Sequence, residues 1–537
     1  MSQSTSARQL DVLVVGAGFS GMYLLHLLRG MGLSVRVIEA GDGVGGTWFW
    51  NRYPGARCDV ESMSYCYTFD PALQREWQWS EKYPAQPEIL RYLNHVADRY
   101  DLRRDIQLET RVTAAHYDDA RQRWQVSTDR GEQYDVHWLI MATGCLSTAR
   151  VPEFPGRDSF KGPSYHTGHW PKESIDFTGQ TVGVIGTGSS GIQVIPQIAK
   201  QAKRLYVFQR TPNFSIPAHN RPLTPAEIEE RRRIQAEHNA KARVSLFGVP
   251  WDINMQMALQ VSPDDRQKQY EAAWQAGGAT PMLVAYADLL ASDAANETVA
   301  DFVRDKIRSI VKDPKTAALL TPTDHPLGAK RICVDTDYYA TYNRDNVTLV
   351  DVRSDPIVEI TATGLRTQGK HYELDSLVYA TGFDAMTGAL LAVDIRGRHG
   401  VPLKQKWAEG PKAYLGLMME GFPNLFTVTG PGSPSVLSNV VVSIEQHVEW
   451  IVACIRHLRD RGAPVIEATR DAEEKWVAHV NEVADTTLFP KANSWYIGAN
   501  IPGKPRVFMP YVGGVGTYRE ICDKVAANGY EGFRIGA

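Results

Sequence analysis

Residues 12–21 read Val12-Leu-Val-Val-Gly-Ala-Gly-Phe-Ser-Gly21, and residues 181–191 repeat the pattern as Thr181-Val-Gly-Val-Ile-Gly-Thr-Gly-Ser-Ser-Gly191. In the first, an unbroken apolar run predicts a parallel strand buried on both faces. The glycines that follow, Gly16, Gly18 and Gly21, allow a tight turn, close approach of a pyrophosphate and close packing of the next helix, expected from Met22 to about Arg29. A second strand, Ser34 to Ile38, ends in Glu39, which stands 39 − 21 = 18 residues past the last glycine. A carboxylate there accepts hydrogen bonds from a ribose 2′-hydroxyl and repels a 2′-phosphate. This first site is therefore expected to hold FAD or NAD, with Gly16, Gly18, Ser20, Gly21 and Glu39 as its contacts.

The second turn carries Gly186, Gly188 and Gly191 and is followed by a strand from Leu205 to Phe208. Where the first site has its acid, the second has Arg210, 210 − 191 = 19 residues past the last glycine. An arginine with Thr211 beside it suits a 2′-phosphate through charge-assisted hydrogen bonds. NADP(H) is the expected occupant, held by Thr187, Gly188, Ser189, Ser190, Arg210 and Thr211. The fold class that follows is α/β, with two dinucleotide-binding, Rossmann-like domains.

A chain of 537 residues is too long for one core, and length alone suggests about three domains. A formal charge of −3 provides no general basic field for nucleic acid or anionic membrane. Six cysteines, at 58, 66, 145, 333, 454 and 522, include no Cys-x-x-Cys pair, which argues against a zinc site and a dithiol redox centre. No apolar run reaches the length of a membrane span, and the start, Met-Ser-Gln-Ser-Thr-Ser-Ala-Arg, lacks an apolar signal core. A cytoplasmic protein with reduced thiols is expected. From Pro222 to about Asp313 the sequence turns helical and charged, with a capping box at Thr224-Pro225-Ala226-Glu227. This region is expected to be an insertion with a solvated face and no chemistry of its own.

Between the two turns lies Phe160-Lys-Gly-Pro-Ser-Tyr-His-Thr-Gly-His-Trp-Pro171. Its pattern, Phe160-x-Gly162-x-x-x-His166-x-x-x-Trp170-Pro171, resembles the fingerprint of type I Baeyer–Villiger monooxygenases. The resemblance runs from about residue 10 to the C-terminus and is nearest to the phenylacetone branch, through Gly430-Pro-Gly-Ser-Pro-Ser-Val-Leu-Ser-Asn439. It implies FAD in the first site, with Gly46, Thr47, Trp48, Asp59 and Tyr65 along the flavin. It also implies that Lys330 touches the NADP 2′-phosphate, that Arg331 lies beside the flavin, and that Trp495 closes over NADP on a mobile loop. Cys145, Val436, Leu437 and Val440 are the implied ketone pocket, and Cys145, Val436 and Val440 depart from the residues expected in that branch.

The implied reaction uses NADPH and O2 to convert aryl, linear or cyclic ketones to esters or lactones through a flavin C4a-peroxide. Arg331 would stabilise negative charge, Asp59 would position Arg331, and His166 and Trp170 would sit in a hinge between domains. The expected division is 1–148 and 381–537 for FAD, 149–213 and 330–380 for NADP, and 214–329 for the helical insertion. The partners are a small ketone and O2, with neither nucleic acid nor membrane, and the assembly is a monomer or small homo-oligomer. Two alternatives stand beside this reading. One is a flavin monooxygenase of amines or sulfides; the other is a non-catalytic NADPH-binding redox regulator.

Overall fold

The computed structural model describes residues 7–536; the polar start, read above for its missing signal core, lies outside them as far as Ser6. The first apolar run becomes the strand Arg8–Val15, flanked in parallel by Val35–Ile38 and Gln133–Met141. Between the first two of these strands runs helix α1, Phe19–Gly30, which begins earlier than the sequence predicts because Gly18 ends the turn. An antiparallel pair, Val112–Asp118 and Arg123–Thr128, widens this sheet. Two strands from late in the chain complete it, Asp394–Arg396 beside Val112–Asp118 and Leu425–Thr427 beside Gln133–Met141.

The second sheet is wholly parallel, in the spatial order Val347–Asp351, Arg204–Gln209, Thr181–Ile185, Ser376–Tyr379, Ser164–His166. Helix α2, Ser189–Ala199, follows its glycine turn. The two turns are built alike. Gly16 has φ of +105° and Gly186 has φ of +107°, and a Cβ on either would run into the carbonyl of Ala142 or Ala380 respectively. Each turn is thus seated on the Ala-Thr-Gly stretch by which the chain leaves that sheet, and only glycine fits there.

The chain crosses between the sheets in two segments that lie side by side. Met386 N–H donates to Cys145 C=O (2.8 Å), Asp384 N–H to Thr148 C=O (2.9 Å), and Arg150 N–H to Gly382 C=O (2.9 Å). Ala149 and Phe383 form an antiparallel bridge between them.

Helix α3, Pro225–Val244, opens the insertion with the anticipated capping box at Thr224. The expectation of a solvated face holds for Glu229, Glu230, Arg232 and Arg233, which pair with one another in solvent. It fails for Arg231, Gln235, His238 and Asn239, whose spacing puts them on one stripe. That stripe is docked by hydrogen bonds onto residues 62–74 of the first sheet's unit. The rest of the insertion, including Tyr270, Trp274, Phe302 and Val303, shares one apolar core with the second sheet. Helix α4, Val440–Asp460, packs on α1 through Val441, Val448 and Ile451. Among the described residues no helix is long and apolar enough to cross a membrane.

Candidate active site

Both helices that follow glycine turns begin without a side-chain cap, α1 at Gly18 and α2 at Gly188. Their first N–H groups and the positive ends of their dipoles face the crevice at the carboxyl ends of the strands. A Cβ on Gly188 would meet nothing within 4 Å, and one on Gly18 only the Gly46 backbone, at 3.4 Å and beyond. That bare backbone fits a pyrophosphate at each site. At the first, the buried Glu39 carboxylate accepts from Ala17 N–H and Gly41 N–H (2.7 Å each), which fixes it beside the glycine turn. Burial raises its pKa and the two N–H groups oppose the rise. Ser20 is buried behind the turn, Thr47 is exposed in front of it, and Trp48 Nε1 donates to Tyr65 Oη (3.1 Å).

At the second site, Thr187 Oγ1 donates to Thr211 C=O (3.1 Å), tying the turn to the segment that carries Arg210. Ser189 Oγ lies 3.5 Å from Cys333 Sγ, and the Ser190 hydroxyl lies against Tyr53. Arg210 stands exposed just past the strand Arg204–Gln209. Lys330 is close enough to feel it: burial lowers the Lys330 pKa, Asp324 opposes this, and Arg210 lowers it further. An anion placed between two such cations relieves their repulsion.

Arg331 sits between the two cradles. Its Nε and Nη2 donate to the two oxygens of Asp59 (2.8 and 2.9 Å), and its Nη1 donates to the Val436 carbonyl (2.6 Å). Burial works against the charge, but the Asp59 carboxylate together with Tyr496 and Cys58 outweighs it, and the guanidinium holds its proton more firmly than a free arginine. Beside it, burial pushes the Tyr496 hydroxyl up to about 12 against the pull of Arg331. The surroundings are otherwise apolar. Cys145, Val436, Leu437, Trp495, Tyr496 and Met386 belong to one hydrophobic cluster. Val440 does not join it: as the first residue of α4 it packs against the core of the first sheet.

Comparison with known proteins places this geometry. A family model described as pyridine nucleotide-disulphide oxidoreductase matches residues 13–246. Among the described residues all six cysteines are free. A Baeyer–Villiger monooxygenase of Pseudooceanicola batsensis is 45% identical over 98% of this chain and 96% of its own. The methyl acetate-forming acetone monooxygenase of Gordonia sp. strain TY-5 is 44% identical over 99% of this chain and 100% of its own. The chain belongs to the Baeyer–Villiger monooxygenase family. An oxidized steroid monooxygenase structure bound to NADP is 53% identical, superposes with a TM-score of 0.94, and covers 98% of this chain and 99% of its own.

This Baeyer–Villiger monooxygenase uses FAD and NADPH, and both cradles have the bare backbone such cofactors need. Its fingerprint segment is a junction. His166 Nδ1 accepts from Gly168 N–H (2.9 Å), which leaves Nε2 as the protonated nitrogen, 3.1 Å from Arg150 C=O and 3.3 Å from Thr381 Oγ1. Burial lowers its pKa to about 4, so the ring is neutral and ties the first crossing segment to the second exit motif. A Cβ on Gly162 would strike the Asp375 carbonyl and the Phe160 ring. Trp170 is buried against Tyr165 (ring centroids 5.2 Å apart) in the core of the second sheet, and Pro171 follows it in a surface groove.

Three features of the monooxygenase escaped the sequence reading. Tyr496, which follows Trp495, is the buried neighbour of Arg331. The loop around Trp495 is pinned by Arg150 to the Asn500 carbonyl, by Asn500 Nδ2 to Phe383 C=O (2.8 Å), and by Lys504 to Asp384 (2.6 Å). Asn439, quoted only as the end of a motif, caps α4. No local pattern marks the first two, because their partners are distant in sequence.

Proposed function

We propose that this enzyme converts apolar ketones to esters or lactones, with Arg331 as its catalytic charge and Asp59 as the residue that positions it. When bound, FAD and NADPH supply hydride transfer and the activation of O2. The protein supplies the environment. Arg331, fixed at three points, presents a permanent positive charge where insertion of oxygen beside a carbonyl develops negative charge. Leu437, Trp495 and Met386 share one apolar cluster with Val436, whose carbonyl Arg331 grips, and so limit the water around that charge, which strengthens its effect. Glu39 and the N-terminus of α1 hold FAD, while Arg210 and Lys330 hold the coenzyme's 2′-phosphate. His166, neutral and bonded to both crossing segments, positions the domains and leaves the substrate alone.

The single observation that carries this reading is the bidentate Arg331–Asp59 pair tied to Val436 of an apolar cluster. The stretch Gly430–Asn439 supports a place in the phenylacetone branch, and six free cysteines support a cytoplasmic setting. The test is aerobic NADPH oxidation with aryl, linear and cyclic ketones, amines and sulfides, scored for product. Ketone-stimulated oxidation with ester formed supports the reading. N- or S-oxide with no ester from any ketone would replace it with the amine or sulfide alternative, and no substrate-linked turnover would favour a redox regulator.

A further inference from the structure

Arg331 has two anchors, Asp59 and the Val436 carbonyl, and they stand on loops that begin far apart in the chain. At their far ends those loops are joined. Asn439 Nδ2 donates to Ser64 C=O (2.6 Å), and both residues are buried. The contacts close a ring: Arg331 to Asp59, along the chain to Ser64, across to Asn439, back along the chain to Val436, and to Arg331 again. Just outside it, next to Val436, Ser435 has φ of +32°, a strained value for a residue with a side chain. Such a loop keeps its shape only while its ends are held.

The ring is gripped from outside by helix α3. His238 Nε2 lies 2.7 Å from Ser64 Oγ, and Arg231 Nη1 donates to Ser62 Oγ (2.8 Å). Gln235 Nε2 reaches Met63 C=O (3.4 Å) and Asn239 Nδ2 reaches Gln74 Oε1 (3.0 Å). Beyond the helix, the Phe247 carbonyl accepts from Asn439 N–H (2.8 Å). The insertion thus touches the ring at both Ser64 and Asn439. The His238 ring is neutral, since burial and Arg231 hold its pKa down to about 4.

We propose that His238, Ser64 and Asn439 are positioning residues for Arg331, and that the insertion through them sets how much reducing power ends in ester. This rests on the catalytic role given to Arg331 above. Two overall reactions compete. In the productive one, ketone, O2, NADPH and a proton give ester, water and NADP+; in the wasteful one, O2, NADPH and a proton give hydrogen peroxide and NADP+. NADPH is the two-electron donor in both. A displaced Arg331 favours the second without altering hydride delivery.

The experiment uses the full-length, FAD-loaded enzyme with His238→Ala, His238→Gln and Asn439→Ser, beside Arg331→Ala. Serine at 439 keeps a helix-capping hydroxyl but cannot reach Ser64. Ester and peroxide formed per NADPH are measured, with anaerobic flavin reduction, FAD content and melting temperature. His238→Ala and Asn439→Ser should lower the ratio of ester to peroxide about fivefold, the factor that one net hydrogen bond represents. Peroxide should rise to match, flavin reduction should stay within about twofold, and His238→Gln should restore most of the coupling. Unchanged coupling in both variants, or loss only in proportion to lost FAD, would overturn the proposal. Substantial ester from Arg331→Ala would instead remove the reading beneath it.

Discussion

The Arg331 guanidinium lies edge-on to the Asp59 carboxylate, with Nε and Nη2 at 2.8 and 2.9 Å from its two oxygens. That fork-to-fork contact leaves Nη1 free for the Val436 carbonyl. A lysine ammonium cannot reproduce such a planar, three-point hold.

Arg331→Ala and Arg331→Lys should therefore both lose ester formation, alanine by about 10²–10³ and lysine by somewhat less. FAD should remain bound, since Glu39 and the α1 turn lie on a separate part of the chain. NADPH should still reduce the flavin, and oxygen consumption should appear as hydrogen peroxide. Product analysis by gas chromatography and anaerobic stopped-flow reduction check the two halves.

Arg210→Ala should raise the KM for NADPH by roughly 10- to 100-fold and leave NADH kinetics nearly unchanged. One charged hydrogen bond to the 2′-phosphate represents about 1.5–3 kcal/mol. Equal losses with both coenzymes would make Arg210 a structural residue.

Leu437→Ala should widen acceptance toward bulky cyclic ketones without changing flavin reduction. Val440→Ala should do the opposite: leave the ketone profile as it was and lower the melting temperature, because Val440 packs against the first sheet's core. Superimposable ketone profiles for wild type and Leu437→Ala would remove this loop from the pocket.

Glu445 gives a pH prediction. It is 1% exposed, and burial pushes its pKa up to about 7 against hydrogen bonds from Thr68. Its carboxyl therefore binds a proton more tightly in the folded protein than in the unfolded chain, where the value is 4.5. The stability this lends is present below the unfolded value and is lost as pH rises toward 7, by about 3 kcal/mol in all. Glu445→Gln, which can keep the contacts to Thr68, should flatten the decline of melting temperature between pH 5 and 8. Parallel wild-type and mutant curves would mean that the carboxyl is ionised throughout.

What the sequence disclosed was local. The glycine turns, the acid at Glu39 against the base at Arg210, and the Thr224 capping box each depend on residues within about twenty positions. The family likeness supplied Arg331 and Asp59, whose contact spans 272 positions. The grip of α3 on residues 62–74 was not legible, because Arg231, Gln235 and His238 are polar and solvated residues look the same in one dimension. The packing of Val440 is hidden for a related reason. It follows the pocket loop directly, but the start of α4 turns its side chain toward the first sheet.

The paired crossing segments have a mechanical consequence. A single strand between two bodies would let one swivel about the other in any direction. Here two strands are laced edge to edge by hydrogen bonds from Met386, Asp384 and Arg150. A ribbon of that kind resists shear in its own plane, so the two sheets cannot slide past each other along it. Together with the docking of α3 on residues 62–74, it holds the flavin and nicotinamide cradles in one mutual alignment.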